Sequence, residues 1–270
     1  MAGRPTIKRT TMENNIHAKP DDAFDTFDVL GVPVSITSVD RSFRALVNWA
    51  RDDRGRFVFI RDVHGIMQAQ TDERLRQLHY EAALVTPDGM PLVWAGKSRG
   101  LPVERTAGAD LMMHVLKHSG GTGLKHYFYG GKDGVAEELR DRFSLITPEA
   151  DIVGVGTPPF RPLTEDELEA VSRDMIAKGA NVVWIGISTP KQEFLMGELA
   201  KRVPATFIGV GATFDFHTGN VKRAPVWMQK NGLEWLHRLC SEPRRLWRRY
   251  LVLAPKFVAL MALQRFKVPT

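Results

Sequence analysis

From residue 39 to residue 211, short apolar runs alternate with longer stretches of helical spacing. The runs are Phe57–Ile60, Ala82–Val85, Lys125–Tyr129, Asp151–Val155, and residues 182–187 and 206–211. Runs of this kind suit strands buried on both faces of a parallel sheet. The spacing predicts helices over Val39–Arg51, Ile66–Tyr80, Pro91–Ser98, Ala109–His118, Val135–Phe143, Glu165–Lys178 and residues 191–202. Strands and helices in alternation predict an α/β fold: a mainly parallel sheet with helices on both faces. Phe27–Ser35 reads as an edge strand or small hairpin, because Pro33 has no amide to give a ladder. Pro91 suits a first helical turn, where no donor is missed. Thr164 and Glu167 have capping-box spacing, and Asp110 or its neighbour is the expected cap of its helix.

Three predicted strands run straight into polar clusters. Residues 182–187 lead to Thr189-Pro190-Lys191-Gln192-Glu193, Ala82–Val85 to Thr86-Pro87-Asp88-Gly89, and residues 206–211 to Thr213-Phe214-Asp215. Ligands in open α/β sheets bind beyond the carboxyl ends of strands. A polar ligand site is therefore expected there.

Past Pro225 the pattern becomes helical, aromatic and basic. The chain of 270 residues has a net charge of +6, unevenly spread. Lys222–Thr270 carries eleven Lys and Arg against Glu234 and Glu242, hence +9, leaving −3 elsewhere. Any anionic partner is expected at the C-terminus. The expected organisation is a mobile tail over residues 1–25, a core over 26–225 and a basic helical appendage over 226–270. The single cysteine, Cys240, excludes an internal disulfide and a cysteine-rich metal site. The first residues lack the apolar stretch of a secretory signal. Leu251–Leu263 is broken by Pro255 and Lys256, so it falls short of a membrane span.

Each motif also has a plainer explanation. Asp88 can take a proton from a hydroxyl, yet Asp and Gly are common in turns. Arg105 can grip a phosphate or carboxylate in a fork, or simply precede a helix. Gly130-Gly131-Lys132-Asp133-Gly134 follows a strand and opens a helix, a place that receives phosphate. Its spacing is not that of a dinucleotide fingerprint, and no P-loop is present. Asp62 and His64 resemble a catalytic pair. No metal centre is expected. Arg238, Arg245 and Arg248 stand among Trp227, Trp235 and Trp247, which suits an anionic membrane surface. A helix packed on the sheet with a solvated basic face accounts for them equally well. Nothing resembles a nucleic-acid-binding motif.

Taken in order, the motifs are more specific. They are Thr86-Pro87-Asp88-Gly89, Arg105-x-x-Gly108-x-Asp110-Leu111, Gly186-x-x-x-Pro190-Lys191-Gln192-Glu193, Gly209-Val210-Gly211-x-x-Phe214-Asp215 and Arg223-Ala224-Pro225. Gly232-Leu233-Glu234-Trp235-x-x-Arg238-Leu239 and Glu242-Pro243-x-Arg245-Leu246 follow. From about Phe27 to Tyr250 the chain resembles the WecG/TagA/CpsF glycosyltransferases (glycosyltransferase family twenty-six).

The resemblance implies a Rossmann-like core whose C-terminal appendage helps complete the site at the inner face of a bacterial plasma membrane. It implies inverting transfer from a UDP-sugar, such as UDP-N-acetylmannosamine or UDP-glucose, to an undecaprenyl-diphosphate-linked saccharide. It implies no cofactor and no required metal; a homo-oligomer is compatible with it. Carried over by motif, Asp88 would be the base, Gln192 would lie beside the sugar or leaving group, and Arg105 would contact phosphate or acceptor. Thr86, Gly89, Gly108, Asp110, Gly130, Gly186, Pro190, Lys191, Glu193, Asp215 and Arg223 would line the substrate pocket. Arg238, Arg245 and Arg248 would face the diphosphates. The family's Thr-x-Asn after the first core strand is replaced by Ile60-Arg61-Asp62-Val63-His64, which makes Asp62 and His64 candidates for that function. Two other classes compete: a nucleotide-sugar oxidoreductase or epimerase, and a non-enzymatic basic protein that binds membranes.

Overall fold

The computed structural model describes residues 24–267. Residues 1–23 of the expected tail lie outside these. Phe24 packs edge-on against Trp49, with ring centroids 6.3 Å apart.

Six strands form one sheet: β3 (Arg56–Arg61), β4 (Leu84–Pro87), β5 (Lys125–Gly130), β6 (Asp151–Gly156), β7 (Val182–Gly186) and β8 (Thr206–Gly209). Their order is β4-β3-β8-β7-β5-β6, and every pairing is parallel. All six carboxyl ends therefore share one rim. The expected hairpin is present as β1 (Thr26–Val29) and β2 (Val32–Ser35), paired antiparallel with Pro33 opposite Asp28. Its turn, Leu30-Gly31, has positive φ at both residues, as a twisted two-residue hairpin requires. Ser35 at its end accepts from the Val85 amide at 3.1 Å and anchors the hairpin beside β4.

The apolar runs are explained by burial on both faces. Phe57, Phe59, Tyr127, Tyr129, Val183, Ile185 and Phe207 point to one core. Val58, Phe128, Val182, Trp184 and Ile208 point to the other. The first core is covered by α2 (Val63–Ala69), α3 (Glu73–Glu81), α4 (Met90–Lys97), α7 (Glu165–Ala177) and α8 (Lys191–Leu199). The second is covered by α1 (Val39–Trp49), α5 (Gly108–His118), α6 (Val135–Ile146) and α9 (Thr213–Thr218). The architecture is Rossmann-like α/β.

Two local expectations need correction. Ile66–Tyr80 is not one helix. Asp62 starts α2 early by accepting from Gly65 N at 3.0 Å, and Asp72 starts α3 by accepting from Leu75 N at 3.0 Å. Two Asp caps in one stretch divide it. Asp110 does not cap α5; Ala107 occupies that position without a side-chain bond, and Asp110 lies in the first turn. The Thr164–Glu167 capping box forms as expected.

After Pro225 come α10 (Val226–Lys230), α11 (Glu234–Ser241), α12 (Pro243–Trp247), a π-helical stretch (Arg248–Leu253) and α13 (Ala254–Lys267). Phe257 of α13 is buried in the first core. Gln264 receives the Leu30 amide at 3.2 Å and donates to Asp28, so the last helix is fastened to the hairpin. Among the described residues no helix is long and apolar enough to cross a membrane.

Two histidines sit inside this frame. His126 of β5 is fully buried; its Nδ1 accepts from Trp184 Nε1 at 3.3 Å. Burial holds its pKa down to about 3. Burial, aided by the Arg61 charge, does the same to His79, also to about 3. Both are neutral when folded and bind a proton near pH 6.5 once exposed. Their contribution to stability is complete above pH 6.5 and is lost as pH falls toward 3. Unfolding in urea should therefore need less denaturant at pH 4.5 than at pH 7. His126→Gln, which still accepts from Trp184, should flatten that dependence by about 1–3 kcal/mol between the two pH values. An unchanged slope in the variant would assign the acid sensitivity to other groups.

Candidate active site

A cavity of about 780 Å³ opens at the shared rim. This is the size range of small-molecule sites. Its floor comes from Ile60 and Asp62 at the end of β3, Gly186–Thr189 at the end of β7 and Gly209–Gly211 at the end of β8. From β5 the chain proceeds outward to β6, whereas from the neighbouring β7 it turns the opposite way to β8. Such a divergence of neighbouring connections leaves a crevice. Glycine lets α8 pack close against the end of β8: a Cβ on Gly209 would lie 3.1 Å from the Gln192 amide and 2.7 Å from Met196. The roof includes Glu234, Arg238, Arg245, Leu246 and Arg249, all from the basic C-terminal helices. One wall is the loop Pro158–Leu163, where Phe160 is wholly exposed and Lys191 lies 4.8 Å from its ring.

Asp88 sits just beyond β4. Its amide donates to Arg61 O at 2.8 Å, and its carbonyl accepts from Arg105 Nε at 2.7 Å. Arg105 Nη2 also bonds the Asp88 carboxylate at 3.1 Å and Glu234 at 2.7 Å. Glu234 lies 3.7 Å from Arg223 Nε, and Arg223 forks onto both Asp110 oxygens at 2.6 and 2.9 Å. Five charges thus alternate from Asp88 to Asp110. Burial pushes the Asp88 pKa above the ordinary carboxylate range; Arg105 opposes the shift and the Glu234 charge adds to it. Asp110 goes the other way. Burial raises it, but the Arg223 fork more than offsets this and holds it low. Of Asp88 and Asp110, at the two ends of the network, Asp88 is the better proton acceptor.

Gln192 lies at the start of α8, nearly buried, with its Oε1 accepting from Gly211 N at 3.2 Å. Its Nε2 donates to Thr189 Oγ1 at 3.2 Å and to Glu193 Oε1 at 3.1 Å. Glu193 is fully buried and pairs with Arg61 at 2.7 Å.

Of the residues picked from sequence, Asp88, Arg105, Gln192, Asp62, His64, Gly108, Gly186, Lys191, Asp215, Arg223, Arg238 and Arg245 line this cavity. Others stand outside the lining. The Thr86 hydroxyl is buried and turned to Thr106 O at 3.1 Å. Gly89 is packed on Asp62, and Gly130 is packed so closely on Gly186 that a Cβ would lie 2.6 Å from its backbone. From that glycine turn it is Gly131 and Lys132 that reach the cavity. Asp110 is tied up by Arg223. Pro190 serves as the cap position of α8, and Glu193 points inward to Arg61. Arg248 turns away over the Trp247 ring, 5.4 Å from its centroid. Asp62 and His64 share no hydrogen bond. The Asp62 carboxylate is taken by Gly65 N and Arg249. Burial lowers the His64 pKa; Glu193 opposes this and Arg61 adds to it.

Glu234, Arg249 and Arg61 are not among the functional residues picked from sequence. Glu234 had two signals, its place in the Gly232-Leu233-Glu234-Trp235 motif and its being a rare carboxylate in a strongly basic segment. His114 and His118 also go unremarked, though they stand one turn apart on α5 with ring centroids 4.3 Å apart. They are not part of the cavity lining. Among the described residues no three His, Cys, Asp or Glu side chains gather as a metal site.

A parallel sheet, a rim cavity and a cationic roof from the C-terminal helices are a geometry suited to an anionic substrate. The profile of the Glycosyl transferase WecG/TagA/CpsF family matches residues 27–269, nearly the whole chain. The chain belongs to this family, and its activity is that of a glycosyltransferase in cell-surface polysaccharide synthesis.

Proposed function

We propose that the protein moves a sugar from a UDP-sugar to a hydroxyl of an undecaprenyl-diphosphate-linked saccharide, with inversion at the anomeric carbon. The observation that carries this is a carboxylate, Asp88, bonded to Arg105 at 3.1 Å in a cavity lined by further arginines and lysines. Asp88 takes the proton of the acceptor hydroxyl as its oxygen attacks the anomeric carbon from the face opposite UDP. The bond to UDP breaks in the same displacement, and negative charge grows on the diphosphate. Arg105, Arg223, Lys132 and Lys191 line the cavity and would supply the cations that meet it. Cations fixed in a partly dry site stabilise such charge more than water does. Arg238, Arg245 and Arg249 of the roof suit the second diphosphate, that of the lipid.

Membrane attachment follows from the same helices. Trp227, Trp247, Leu251 and Val252 are exposed among basic residues. Apolar side chains set among cations suit the interface of an anionic bilayer. In this reading residues 226–270 act as the appendage that brings the cavity to its lipid-linked acceptor.

Asp88→Asn should lower kcat by about 10²–10⁴-fold and leave UDP affinity, by calorimetry, within a few-fold. Undiminished turnover would remove Asp88 as the base. A panel of UDP-sugars with a short-chain prenyl-diphosphate-linked sugar is the assay.

The acid limb of kcat/KM should follow the charges around Asp88. Glu234 raises the Asp88 pKa and Arg105 lowers it. Glu234→Gln should therefore move the limb to lower pH, and Arg105→Gln to higher pH. Shifts of the same sign in both variants would detach the limb from Asp88.

Arg244→Glu combined with Trp247→Ser alters two exposed side chains that do not line the cavity. Flotation with anionic vesicles should fall about tenfold, at roughly 1 kcal/mol per basic residue near the surface. Equal flotation would place the membrane contact elsewhere.

A further inference from the structure

We propose that Arg61 is a positioning residue that sets Gln192 against Asp88, holding one through its side chain and the other through its main chain. This rests on the reading that both groups act in sugar transfer. Arg61 is the last residue of β3, the strand next to β4 and β8. Its carbonyl accepts from the amides of Asp88 at 2.8 Å and Gly89 at 3.3 Å, which fixes the loop that carries the proposed base. Its side chain turns inward and is almost wholly buried. There Nη1 meets Glu193 Oε1 at 2.7 Å, and Nε donates to His79 Nε2 at 2.7 Å.

The Glu193 oxygen is a shared seat. Besides Arg61 it accepts from Thr189 Oγ1 at 3.0 Å and Gln192 Nε2 at 3.1 Å. Thr189 Oγ1 accepts the second proton of the Gln192 amide. Both N–H groups of Gln192 therefore face inward. Its oxygen faces the Gly211 amide at 3.2 Å. A flipped amide would set N–H against N–H at Gly211 and oxygen against the Glu193 carboxylate, so the orientation is dictated. Gln192 presents a carbonyl oxygen to the cavity, suited to a sugar hydroxyl or amide N–H rather than a phosphate.

The far end of the relay is equally constrained. His79 Nδ1 lies 2.7 Å from Leu75 O and must carry the proton, leaving Nε2 as an acceptor for Arg61. The guanidinium carbon lies 4.4 Å from the Phe59 ring centroid. Stability alone gives little reason for this cluster, because a buried ion pair seldom outperforms apolar packing. Arg61 Nη2 and Glu193 Oε2 even lack protein partners. Placement beside the cavity supplies the missing reason.

Arg61→Lys tests the idea. Lysine keeps the charge but not the fork that reaches His79 and Glu193 together. Thermal unfolding monitors the fold. Arg61→Lys should lower kcat about 10–100-fold, as small misplacements near a reacting centre do, with KM for the UDP-sugar within about threefold. Gln192→Ala should lose a similar amount. The double variant should be no more than about threefold slower than Gln192→Ala, since the two act as one unit. Multiplicative losses, or an unaltered kcat, would overturn the proposal.

A second readout needs no turnover. The Gln192 side-chain amide, assigned in NMR spectra by its loss in Gln192→Ala, should exchange slowly with solvent in the native chain and quickly in Arg61→Lys. Slow exchange in both would overturn the proposal. If the native chain transfers no sugar from any donor, the transfer reading fails while the amide result still decides the role of Arg61. If Arg61→Lys does not fold, Glu193→Gln, which keeps the shape and removes the charge, carries the same two measurements.

Discussion

A strand covered on both faces has little room for polar side chains until it ends. That constraint organises the protein. Across β3, β5, β7 and β8 nearly every side chain is spent on one core or the other. The chemistry is displaced to the rim, where Arg61, Asp88, Gly186 and Gly209 mark the last residues of strands or the first beyond them. Because all six strands are parallel, these ends coincide in space. One packing requirement thus collects groups that are far apart in sequence.

The rim is completed by charge. Asp88 and Asp110 belong to the sheet connections, Arg223 to the chain before α10, and Glu234 to α11. Arg105 and Arg223 are each shared by two carboxylates. Arg105, Arg223 and Glu234 are largely covered, so solvent screens the middle of the network less than it does surface pairs. Glu234 therefore does more than fasten a helix. Its charge is felt at Asp88, where it acts in the same direction as burial. Asp62 and Arg249 make a second junction between the sheet and the C-terminal helices.

Much of this was legible in the chain itself. Strand and helix positions followed from apolar periodicity, because burial on both faces writes itself into consecutive residues. Asp88, Arg105, Gln192 and Arg223 stood in ordered motifs, and they line one cavity. What stayed hidden depends on contacts across long separations. Arg105 meets Glu234 across 129 residues, Arg61 meets Glu193 across 132, and Arg249 meets Asp62 across 187. No local pattern announces such pairs. The same blindness misplaced Asp110: a carboxylate in a first helical turn looks like a cap until Arg223, 113 residues on, claims it. Arg248 stands outside the lining for a different reason. In a helix rich in arginine, neighbours point in different directions, and charge alone does not say which one faces the cavity.

The strand order carries a consequence for how the molecule is made. β8 is the last strand in the sequence and lies between β3 and β7. Without it, β4-β3 and β7-β5-β6 are two separate ribbons, each with a bare edge. During synthesis those edges stay unpaired until Thr206–Gly209 leaves the ribosome and slots between them, and unpaired edges invite aggregation. Part of the cavity lining begins at Gly209, so no N-terminal fragment that stops before β8 contains the whole site. Nascent chains are inert by geometry until the keystone strand is in place.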